Sequence, residues 1–315
     1  TFNFDKDEIL PYRINAIIGK NGVGKTQIIK NLSEELSGMR FSDDEEFGSI
    51  FEAIEEKKQY PDFSKIITVS YSAFDNFRKM ENKEKIKFNY VYCGLYKSEK
   101  GEDKRLSVDE IKGNIIEAKQ EIASRGRTEE WFNCIKLMSE STDMVRMIEK
   151  AEFPEDIQLS SGELVILSCI TDIIKYISEQ SLILFDEPEL HLHPNAVSNF
   201  MKMLNNILDA YNSYSIISTH SPIIIQEISS RSVNIILREE DYTFVRRLGI
   251  ECFGESIDNI NKDVFYFDNS SLNYKKRLEN IIQNKSYEEI NEQFEDKLGL
   301  NAKIYLKTLE NQKEQ

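Results

Sequence analysis

The segment GKNGVGKT, Gly19 to Thr26, constrains the fold of this chain more than any other feature of the sequence. It matches the pattern G-x-x-x-x-G-K-[ST] in full, follows the apolar run Tyr12–Ile18 and leads into Thr26–Leu36, which has helical spacing. A glycine-rich loop between a strand and a helix turns its backbone N–H groups around a phosphate, and the helix adds its positive end. A purely structural turn is the alternative, but the strand–loop–helix context favours nucleotide binding.

Each part of this loop has a chemical task. The glycines allow the tight turn, Lys25 reaches the β- and γ-phosphate oxygens, and the Thr26 hydroxyl ligates Mg²⁺. The sequence therefore predicts a site for a nucleotide with its magnesium ion. The candidate nucleotide-binding residues of this segment are Gly19, Lys20, Asn21, Gly22, Val23, Gly24, Lys25 and Thr26.

In the segment SLILFDEPELHLHP, Ser181 to Pro194, an apolar strand ends at two adjacent carboxylates. A strand that reaches solvent explains one acid, whereas two acids after a phosphate loop indicate a division of labour. Asp186 would hold Mg²⁺, and Glu187 would orient and deprotonate the water that attacks the γ-phosphate. We predict that the strand of Asp186 lies beside the phosphate-loop strand in a parallel sheet. The paired carboxylates of glycoside hydrolysis are an alternative without other support in the sequence.

Two of the three histidines, His191 and His193, follow these acids with a spacing that could bind a metal ion from a strand. The sequence has neither clustered cysteines nor enough further histidines to complete a zinc site. We therefore expect these two histidines to serve loop packing and contacts between subunits.

Strands alternate with helical segments along the rest of the chain, which predicts an α/β fold with a helical insertion. In the insertion, the predicted core positions are Trp131, Phe132, Ile135, Leu137 and Met138. The further predicted strands are Lys65–Tyr71, Lys87–Leu95, Tyr214–His220, Val233–Arg238 and Tyr242–Arg247. The charged tail, including YEEINEQFEDKLGL from Tyr287 to Leu300, has a helical pattern.

The composition restricts the partners of the chain. A net charge of −15 disfavours broad, non-specific binding of nucleic acid. A local basic patch is an alternative, although solvated positions are the simpler interpretation for its candidates Arg238, Arg246, Arg247, Lys275, Lys276 and Arg277. We expect no membrane association, because no apolar run approaches the roughly 20 residues that span a bilayer. The four cysteines have no CxxC spacing, which favours reduced thiols in a cytoplasmic protein.

The segment LSSGE, Leu159 to Glu163, stands just before an apolar helix candidate, Gly162–Ile177. Serine and glycine at a helix start offer hydroxyl and N–H donors to an anion, although an ordinary capped helix is the interpretation that the segment alone favours. The order of the motifs along the chain favours the anion site over an ordinary capped helix. This order resembles that of the ABC-type ATPases, which include transporter motors, RecF, Rad50 and SMC proteins. Their signature motif resembles LSSGE, their Walker B motif resembles LILFDEPE, and their switch histidine corresponds to His220 in STHSP.

This resemblance, which covers Arg13 to Pro222, implies an ABC-type ATPase head: a P-loop core sheet, a helical insertion lobe and C-terminal helices. The head would occupy residues 1–271, with the insertion at 107–158, and a helical region would follow at 272–315. The cofactors implied are ATP and Mg²⁺. ATP on the phosphate loop of one subunit would be closed by the signature motif of the other in a head-to-tail dimer.

The resemblance also assigns roles. Hydrolysis of ATP to ADP and phosphate would use Lys25, Glu187 and His220 as catalytic residues, with Thr26 and Asp186 as the Mg²⁺ ligands. The signature residues acting on the partner's nucleotide would be Ser160, Ser161, Gly162 and Glu163. Because the γ-phosphate disappears on hydrolysis, the dimer interface would act as a nucleotide switch.

Two departures from the transporter motors indicate the branch. The segment DEPELHLHP has His193 where transporter motors carry aspartate, which is similar to the OLD-type and AAA_21 ATPases outside the transporters. No clear Q-loop glutamine follows the second strand, where Ser72 or Asp75 would take its place near the metal. The insertion is too short for SMC or Rad50 coiled-coil arms, and the tail has no convincing Toprim pattern.

Several segments together, among them YSAFDNF, DEPELHLHP and FGESIDNI, look like the PtuA-type ATPases of Septu and retron-associated antiphage systems. The resemblance implies a slow, regulatory ATPase that controls a partner HNH nuclease of the PtuB type, with nucleic acid possible in the larger complex. The alternative is a RecF- or SMC-like DNA-binding ATPase of repair or recombination. A transporter motor fits least, because of the two departures.

Overall fold

A computed structural model describes the chain over residues 2–6, 9–37, 52–54, 57–59, 63–71, 77, 90–99, 102–138, 159–240, 242–265 and 273–313. The chain divides into two compact units, Thr1–Phe265 and Tyr266–Gln315. The predicted boundary after residue 271 falls in the stretch 266–272, which lies outside the described residues. The Q-loop candidates Ser72 and Asp75 also lie outside them.

The first unit is built on one large sheet. Seven strands form it in the order β11-β10-β1-β9-β8-β4-β5, and the hairpins β2–β3 and β6–β7 stand apart from it. The strands are β1 (Ile14–Ile18), β2 (Glu52–Ile54), β3 (Lys57–Gln59), β4 (Lys65–Ser70), β5 (Tyr90–Gly94), β6 (Tyr96–Glu99), β7 (Glu102–Arg105), β8 (Ser181–Asp186), β9 (Tyr214–Thr219), β10 (Val233–Glu239) and β11 (Tyr242–Arg246).

All neighbouring strands of this sheet run parallel except β10 and β11. This parallel-dominated arrangement confirms the predicted α/β fold class. One part of the prediction is wrong, because the strand that ends at Asp186 does not lie beside the phosphate-loop strand β1. Strand β9 lies between them and pairs with both, so that Asp186 is opposite Ser218 and Ile18 is opposite Thr219. Three consecutive parallel strands therefore deliver their carboxyl ends to one edge of the sheet.

In the first unit the helices that accompany the sheet are α1 (Lys25–Leu36), α2 (Val108–Ser124), α3 (Thr128–Met138), α4 (Ser161–Tyr176), α5 (Pro194–Ala210), α6 (Pro222–Gln226) and α7 (Ile257–Phe265). The described helices of the second unit are α8 (Asn273–Ile282), α9 (Tyr287–Gln293) and α10 (Leu300–Lys313). Short 3₁₀ turns occupy Pro188–His191 and Ser230–Ser232.

Strand β8 illustrates why a central strand of this sheet has a nearly continuous apolar sequence. All six of its residues are buried, as is usual for a parallel strand with both faces covered. Successive side chains point to opposite faces. Leu182 and Leu184 pack in the cluster that includes Ile29 of α1, whereas Ile183 and Phe185 join the larger cluster formed with α2 to α5.

The helical insertion packs as the sequence predicts. Trp131, Ile135 and Met138 are buried, and Phe132 and Leu137 pack against the same core. The indole Nε1 of Trp131 donates to Thr171 Oγ1 at 2.9 Å, which ties α3 to α4. The part of the predicted insertion from residue 139 to 158 lies outside the described residues.

The C-terminal end of α4 is held by basic side chains from two different elements. Lys65 of β4 donates to Tyr176 O at 2.6 Å. Arg125 and Arg127, between α2 and α3, donate to the last carbonyls of the helix, with Arg127 reaching Ile177 O at 2.8 Å. Cations at a helix C-terminus satisfy free carbonyls and the helix dipole. This contact joins α4 to both the sheet and the insertion.

The second unit is a set of three helices with its own small core of Leu278, Ile282, Ile290 and Leu306. The sequence predicts a continuous helical pattern from Tyr287 to Leu300, but α9 ends at Gln293. Glu295 and Asp296 adopt left-handed backbone angles, φ 52° and 61°, which no helix continues through. A new helix, α10, begins at Leu300.

All four cysteines are buried as free thiols. Among the described residues, no helix is both long and apolar enough to cross a membrane. Three of the candidates for the alternative of a basic patch have structural partners: Arg238 donates to Glu240 O, Arg246 donates to Asp263, and Arg247 donates to the carbonyls of Arg231 and Val233.

Candidate functional site

The phosphate loop leaves β1 and enters α1 through a left-handed residue. Gly24 caps α1 with φ 97°, a conformation that favours glycine. Gly19 is required for another reason, because a Cβ there would lie 2.4 Å from Ile236 O of the neighbouring strand β10. The sequence of this loop is therefore matched to its backbone path, and α1 begins at Lys25 with its free N–H groups at the loop.

Lys25 is the buried cation at the centre of the site, with 4% of its side chain exposed. Its Nζ donates to Gly19 O at 3.2 Å, lies 2.6 Å from His220 Nε2, and is 3.8 Å from Glu187 Oε1. Burial lowers the pKa of Lys25, and the nearby carboxylates of Glu187 and Asp186 oppose this shift. A buried ammonium group among acids is a strong partner for the oxygens of a polyphosphate.

Thr26 and Asp186 meet at the start of α1, as the sequence predicts for a magnesium site. The Thr26 hydroxyl donates to Asp186 Oδ1 at 3.1 Å, and the buried Ser218 hydroxyl donates to the same oxygen. Asp186 itself is 4% exposed. Hydroxyl and carboxylate oxygens are hard ligands that suit Mg²⁺. The donor set therefore fits this ion, and Thr26 and Asp186 are the candidate protein ligands.

Glu187 turns away from β8 with left-handed backbone angles, φ 50° and ψ 59°. A non-glycine residue held in this region costs on the order of 1 kcal/mol or more and is often found at functional sites. Its Oε1 lies 2.8 Å from His220 Nε2. The hydrogen bond with His220 lowers the pKa of Glu187, burial opposes the shift, and Lys25 supports it. The carboxylate is thus kept in the ionised form that a general base needs.

His220 follows the last residue of β9, and its backbone is held by an acid to which the sequence analysis gave no role. Glu189 Oε1 accepts hydrogen bonds from Thr219 Oγ1 at 2.6 Å, from His220 N at 2.6 Å and from Ser221 N at 3.1 Å. Burial raises the pKa of Glu189, and the hydrogen bonds from Thr219 and His220 oppose the shift. Its second oxygen, Oε2, is buried and has no hydrogen-bond partner among the described residues.

The signature segment lies at the start of α4. The Ser160 side chain accepts a hydrogen bond from Glu163 N at 3.3 Å, and the Glu163 side chain accepts one from Ser160 N at 2.8 Å. This reciprocal capping box explains why the helix begins here. Ser160 and Ser161 are exposed and Gly162 is partly exposed, so the donors of this helix start face outward.

The structure therefore brings some of the predicted residues together and leaves others apart. Lys25, Thr26, Asp186, Glu187 and His220 are linked by direct contacts. The hydrogen bonds that Ser160 makes are those of its own helix cap. His193 caps α5, where its Nδ1 accepts from Ala196 N at 3.4 Å. The side chain of His191 is not described.

Ser218, Thr219 and Glu189 are the contacts that the sequence analysis missed. Ser218 and Thr219 are polar residues at the carboxyl end of an apolar strand, YSIIST, next to the predicted switch histidine. Polar side chains at that edge are a signal for a site in a parallel sheet. Glu189 offers no comparable signal, because an acid in a turn after a strand is ordinarily solvated.

The sequence pattern of one protein family matches this part of the chain. Residues 140–226 match AAA_21, described as "AAA domain, putative AbiEii toxin, Type IV TA system". The matched stretch includes the signature segment, the acids Asp186 and Glu187, and His220. It does not include the phosphate loop.

Two curated relatives extend the comparison. Protein ea59 of Escherichia phage lambda is 29% identical over an alignment of 329 positions that includes gaps and covers 94% of this chain and 62% of the phage protein. The retron Vc95 probable ATPase of Vibrio cholerae serotype O1 biovar El Tor is 31% identical over 97 residues, 27% of this chain and 18% of that protein. The chain thus spans less than two thirds of the length of either relative.

Among solved structures, cbiO1 from Clostridium perfringens, part of the ABC transporter complex cbiONQ, is 16% identical. The likeness covers 93% of this chain and 96% of that chain, with a TM-score of 0.41. The family match and the geometry of the phosphate loop, the paired acids and the switch histidine support a P-loop ATPase of the ABC/AAA_21 type.

Proposed function

We propose that this chain is an ATP-binding and ATP-hydrolysing switch subunit that dimerises head to tail around ATP and controls a partner nuclease in antiphage defence. The observation that carries the proposal is the convergence of Lys25, Glu187 and His220 at the carboxyl edge of the sheet, within 4 Å of one another. An isolated phosphate loop would support nucleotide binding alone, whereas this convergence adds a base and a group that holds it.

The residues divide the work of hydrolysis. Mg²⁺, held by Thr26 and Asp186, would neutralise charge on the β- and γ-phosphate oxygens. Lys25 binds the same oxygens from the phosphate loop, so that the γ-phosphate is oriented at the edge of the sheet. Glu187 accepts the proton of the attacking water, and His220 holds the Glu187 carboxylate at hydrogen-bond distance. The turnover that we propose is slow, below about 1 s⁻¹, at the lower end of ordinary enzymes.

The signature segment supplies the argument for a dimer. Ser160 and Ser161 are exposed at the N-terminal end of α4, a 16-residue helix whose dipole favours an anion at that end. The γ-phosphate on a second copy is an anion of suitable chemistry. Because hydrolysis removes this group, ATP would favour the closed dimer and ADP would release it.

The proposal for the biological role rests on the relatives. The retron ATPase matches over 27% of the chain, and the AAA_21 pattern covers the acids and the switch histidine. A regulatory ATPase needs an effector, and we propose an HNH nuclease of the PtuB type. We further propose that the protein acts in the cytoplasm, where phage DNA is met.

The proposal is tested in two steps. First, the purified chain should hydrolyse ATP in the presence of Mg²⁺, and Glu187→Gln should form a dimer with ATP but not with ADP in light scattering. Absence of ATP binding in the unmodified chain would contradict the ATPase.

Second, coexpression with an HNH protein encoded beside it should yield a complex whose DNA cleavage depends on ATP. A complex that cleaves DNA equally with ATP, with ADP and without nucleotide would contradict the switch, and salt-sensitive DNA binding by the ATPase alone would favour a repair function.

A further inference from the structure

Glu189 stands out among the acidic groups near the site because it accepts hydrogen bonds from two backbone amides and a neighbouring hydroxyl. It lies in the 3₁₀ turn Pro188–His191, two residues after the proposed base Glu187. A single oxygen, Oε1, accepts three hydrogen bonds, all from consecutive residues: Thr219 Oγ1, His220 N and Ser221 N. The turn after β8 is thereby fastened to the turn after β9.

The two turns that Glu189 joins carry the proposed base, Glu187, and the histidine that contacts it, His220. Glu187 precedes the 3₁₀ turn, and His220 is one of the three residues that Glu189 holds. The Glu187 carboxylate meets the imidazole of His220 at 2.8 Å, while the Glu189 carboxylate meets the backbone N–H of the same residue at 2.6 Å. One histidine is therefore held at both its ring and its backbone by acids two positions apart.

The chemical character of the contact favours a role in alignment over a simple turn cap. Hydrogen bonds from N–H and O–H groups to a carboxylate are shorter and stronger than neutral ones. Glu189 makes this contact even though burial disfavours its charge and its Oε2 has no hydrogen-bond partner among the described residues.

We propose that Glu189 is a positioning residue, which holds His220 so that its ring can orient the Glu187 carboxylate toward the attacking water. The proposal deepens the proposed ATPase function and rests on it for the kinetic part of its test. Glu189 itself touches neither nucleotide nor water in this role. The substitution Glu189→Gln keeps the shape and one acceptor oxygen but removes the charge, so it should weaken the three hydrogen bonds that hold His220 without disturbing the phosphate loop.

The kinetic test separates binding from turnover. For Glu189→Gln we expect kcat to fall by about 100-fold, the cost of displacing a catalytic group by about 1 Å, while the Kd for ATP changes by less than about twofold. Thr219→Val, which removes one of the three donors and keeps the side-chain shape, should lower kcat by about tenfold. An unchanged kcat in both variants would overturn the proposal, as would parallel losses of ATP affinity and kcat.

Glu251 offers a matched control. Its carboxylate accepts hydrogen bonds from Ser230 N, Ser230 Oγ and Phe253 N, which is again a three-donor loop contact, but it lies outside the site. Glu251→Gln should leave kcat unchanged. If Glu251→Gln lowers kcat as much as Glu189→Gln does, the effect is one of general stability and the proposal fails.

A spectroscopic test does not depend on hydrolysis. The chain contains three histidines, so ¹⁵N-histidine labelling gives three backbone amide signals, and His191→Gln and His193→Gln identify that of His220. We expect this amide proton to move upfield in Glu189→Gln, because it loses a charged acceptor, and to stay in place in Glu251→Gln. An unmoved signal would overturn the proposal even if the kinetics agree. If the unmodified chain hydrolyses no ATP, the proposed function fails, while the amide signal still decides the role of Glu189.

Discussion

His220 Nε2 lies 2.6 Å from Lys25 Nζ and 2.8 Å from Glu187 Oε1, so one ring nitrogen faces both a donor and an acceptor. It can accept from Lys25 only when it carries no proton, and it can donate to Glu187 only when it does. The two contacts therefore exclude each other at any instant. A polyphosphate that draws Lys25 to itself would leave His220 to Glu187 alone, which couples nucleotide binding to the orientation of the base.

Lys25→Ala should abolish measurable nucleotide binding. The change removes charge-assisted hydrogen bonds to the phosphates, and we expect the Kd for ATP to rise at least about 100-fold. Titration with a fluorescent ATP analogue measures this directly. Lys30→Ala, on the same helix beyond the phosphate loop, is the matched control and should bind as the unmodified chain does. Equal binding by the two variants would contradict the role of Lys25.

Glu187→Gln should lower kcat by about 10²- to 10⁴-fold, the usual contribution of a general base, and should keep ATP binding. The amide has nearly the same shape as the carboxylate but cannot take the proton of water. Equilibrium binding and single-turnover hydrolysis give the two quantities separately.

Asp186→Asn should act differently, raising the Mg²⁺ concentration needed for half-maximal activity, because it weakens a metal ligand.

Loss of ATP binding in Glu187→Gln would refute the assignment of Glu187 as base.

Ser160→Arg should block hydrolysis if the signature segment acts on the nucleotide of a second copy. An arginine at this exposed helix start would prevent the signature segment from contacting the γ-phosphate in the one composite site that it faces. Mixing Ser160→Arg with Lys25→Ala should restore activity, because one of the two composite sites then has an intact phosphate loop and an intact signature. The activity of the mixture at different ratios measures this. If Ser160→Arg hydrolyses ATP normally, the signature does not act between copies.

Asp172 predicts a pH-dependent stability of the core. Burial raises the pKa of its carboxyl from 3.8 to about 7, while Lys175 and the hydrogen bond from Tyr71 oppose the shift. Between about pH 4 and pH 7 the folded chain holds a proton that the unfolded chain has lost, so stability falls as pH rises through this range. Asp172→Asn removes this dependence, so its stability relative to the unmodified chain should increase by about 2 to 3 kcal/mol from pH 5 to pH 8.

Urea unfolding at pH 5 and pH 8 checks this prediction, with the fluorescence of the single tryptophan, Trp131, as the signal. Trp131 is 2% exposed and bonds to Thr171, the neighbour of Asp172, so unfolding will change its environment. Glu129→Gln, at an exposed position of α3, is the control. A stability difference between Asp172→Asn and the unmodified chain that is the same at both pH values would refute a raised pKa.

The sequence predicted those parts of the site that are written in short, local patterns. The phosphate loop is contiguous, and the pair Asp186–Glu187 follows a recognisable strand. Their chemical roles could therefore be predicted from the sequence without knowledge of their positions in the fold. The strand order could not be assigned in the same way. That β9 lies between β1 and β8 depends on which strands pack side by side, and no local pattern within either strand specifies its neighbours.

Glu189 illustrates a second limit. Its three partners are 30 to 32 positions away, at the end of strand β9 and directly after it, so the contact exists only after the sheet has formed. The break after Gln293 illustrates a third limit, because the residues around Glu295 and Asp296 fit a helical pattern in composition. Left-handed backbone angles at two non-glycine residues are set by the packing of α8, α9 and α10, which the local sequence does not reveal.

The basic residues at the C-terminal end of α4 fix one end of this helix and leave the other end exposed. Its C-terminal carbonyls are held by Lys65, Arg125 and Arg127, whereas its opposite end, at Ser160 and Ser161, is exposed. Sixteen residues of α-helix are about 24 Å long. A tilt of about 10° around the held end would carry Ser160 through about 4 Å, by the same geometry. A change of tilt of this size would therefore move the exposed serines by more than the length of a hydrogen bond.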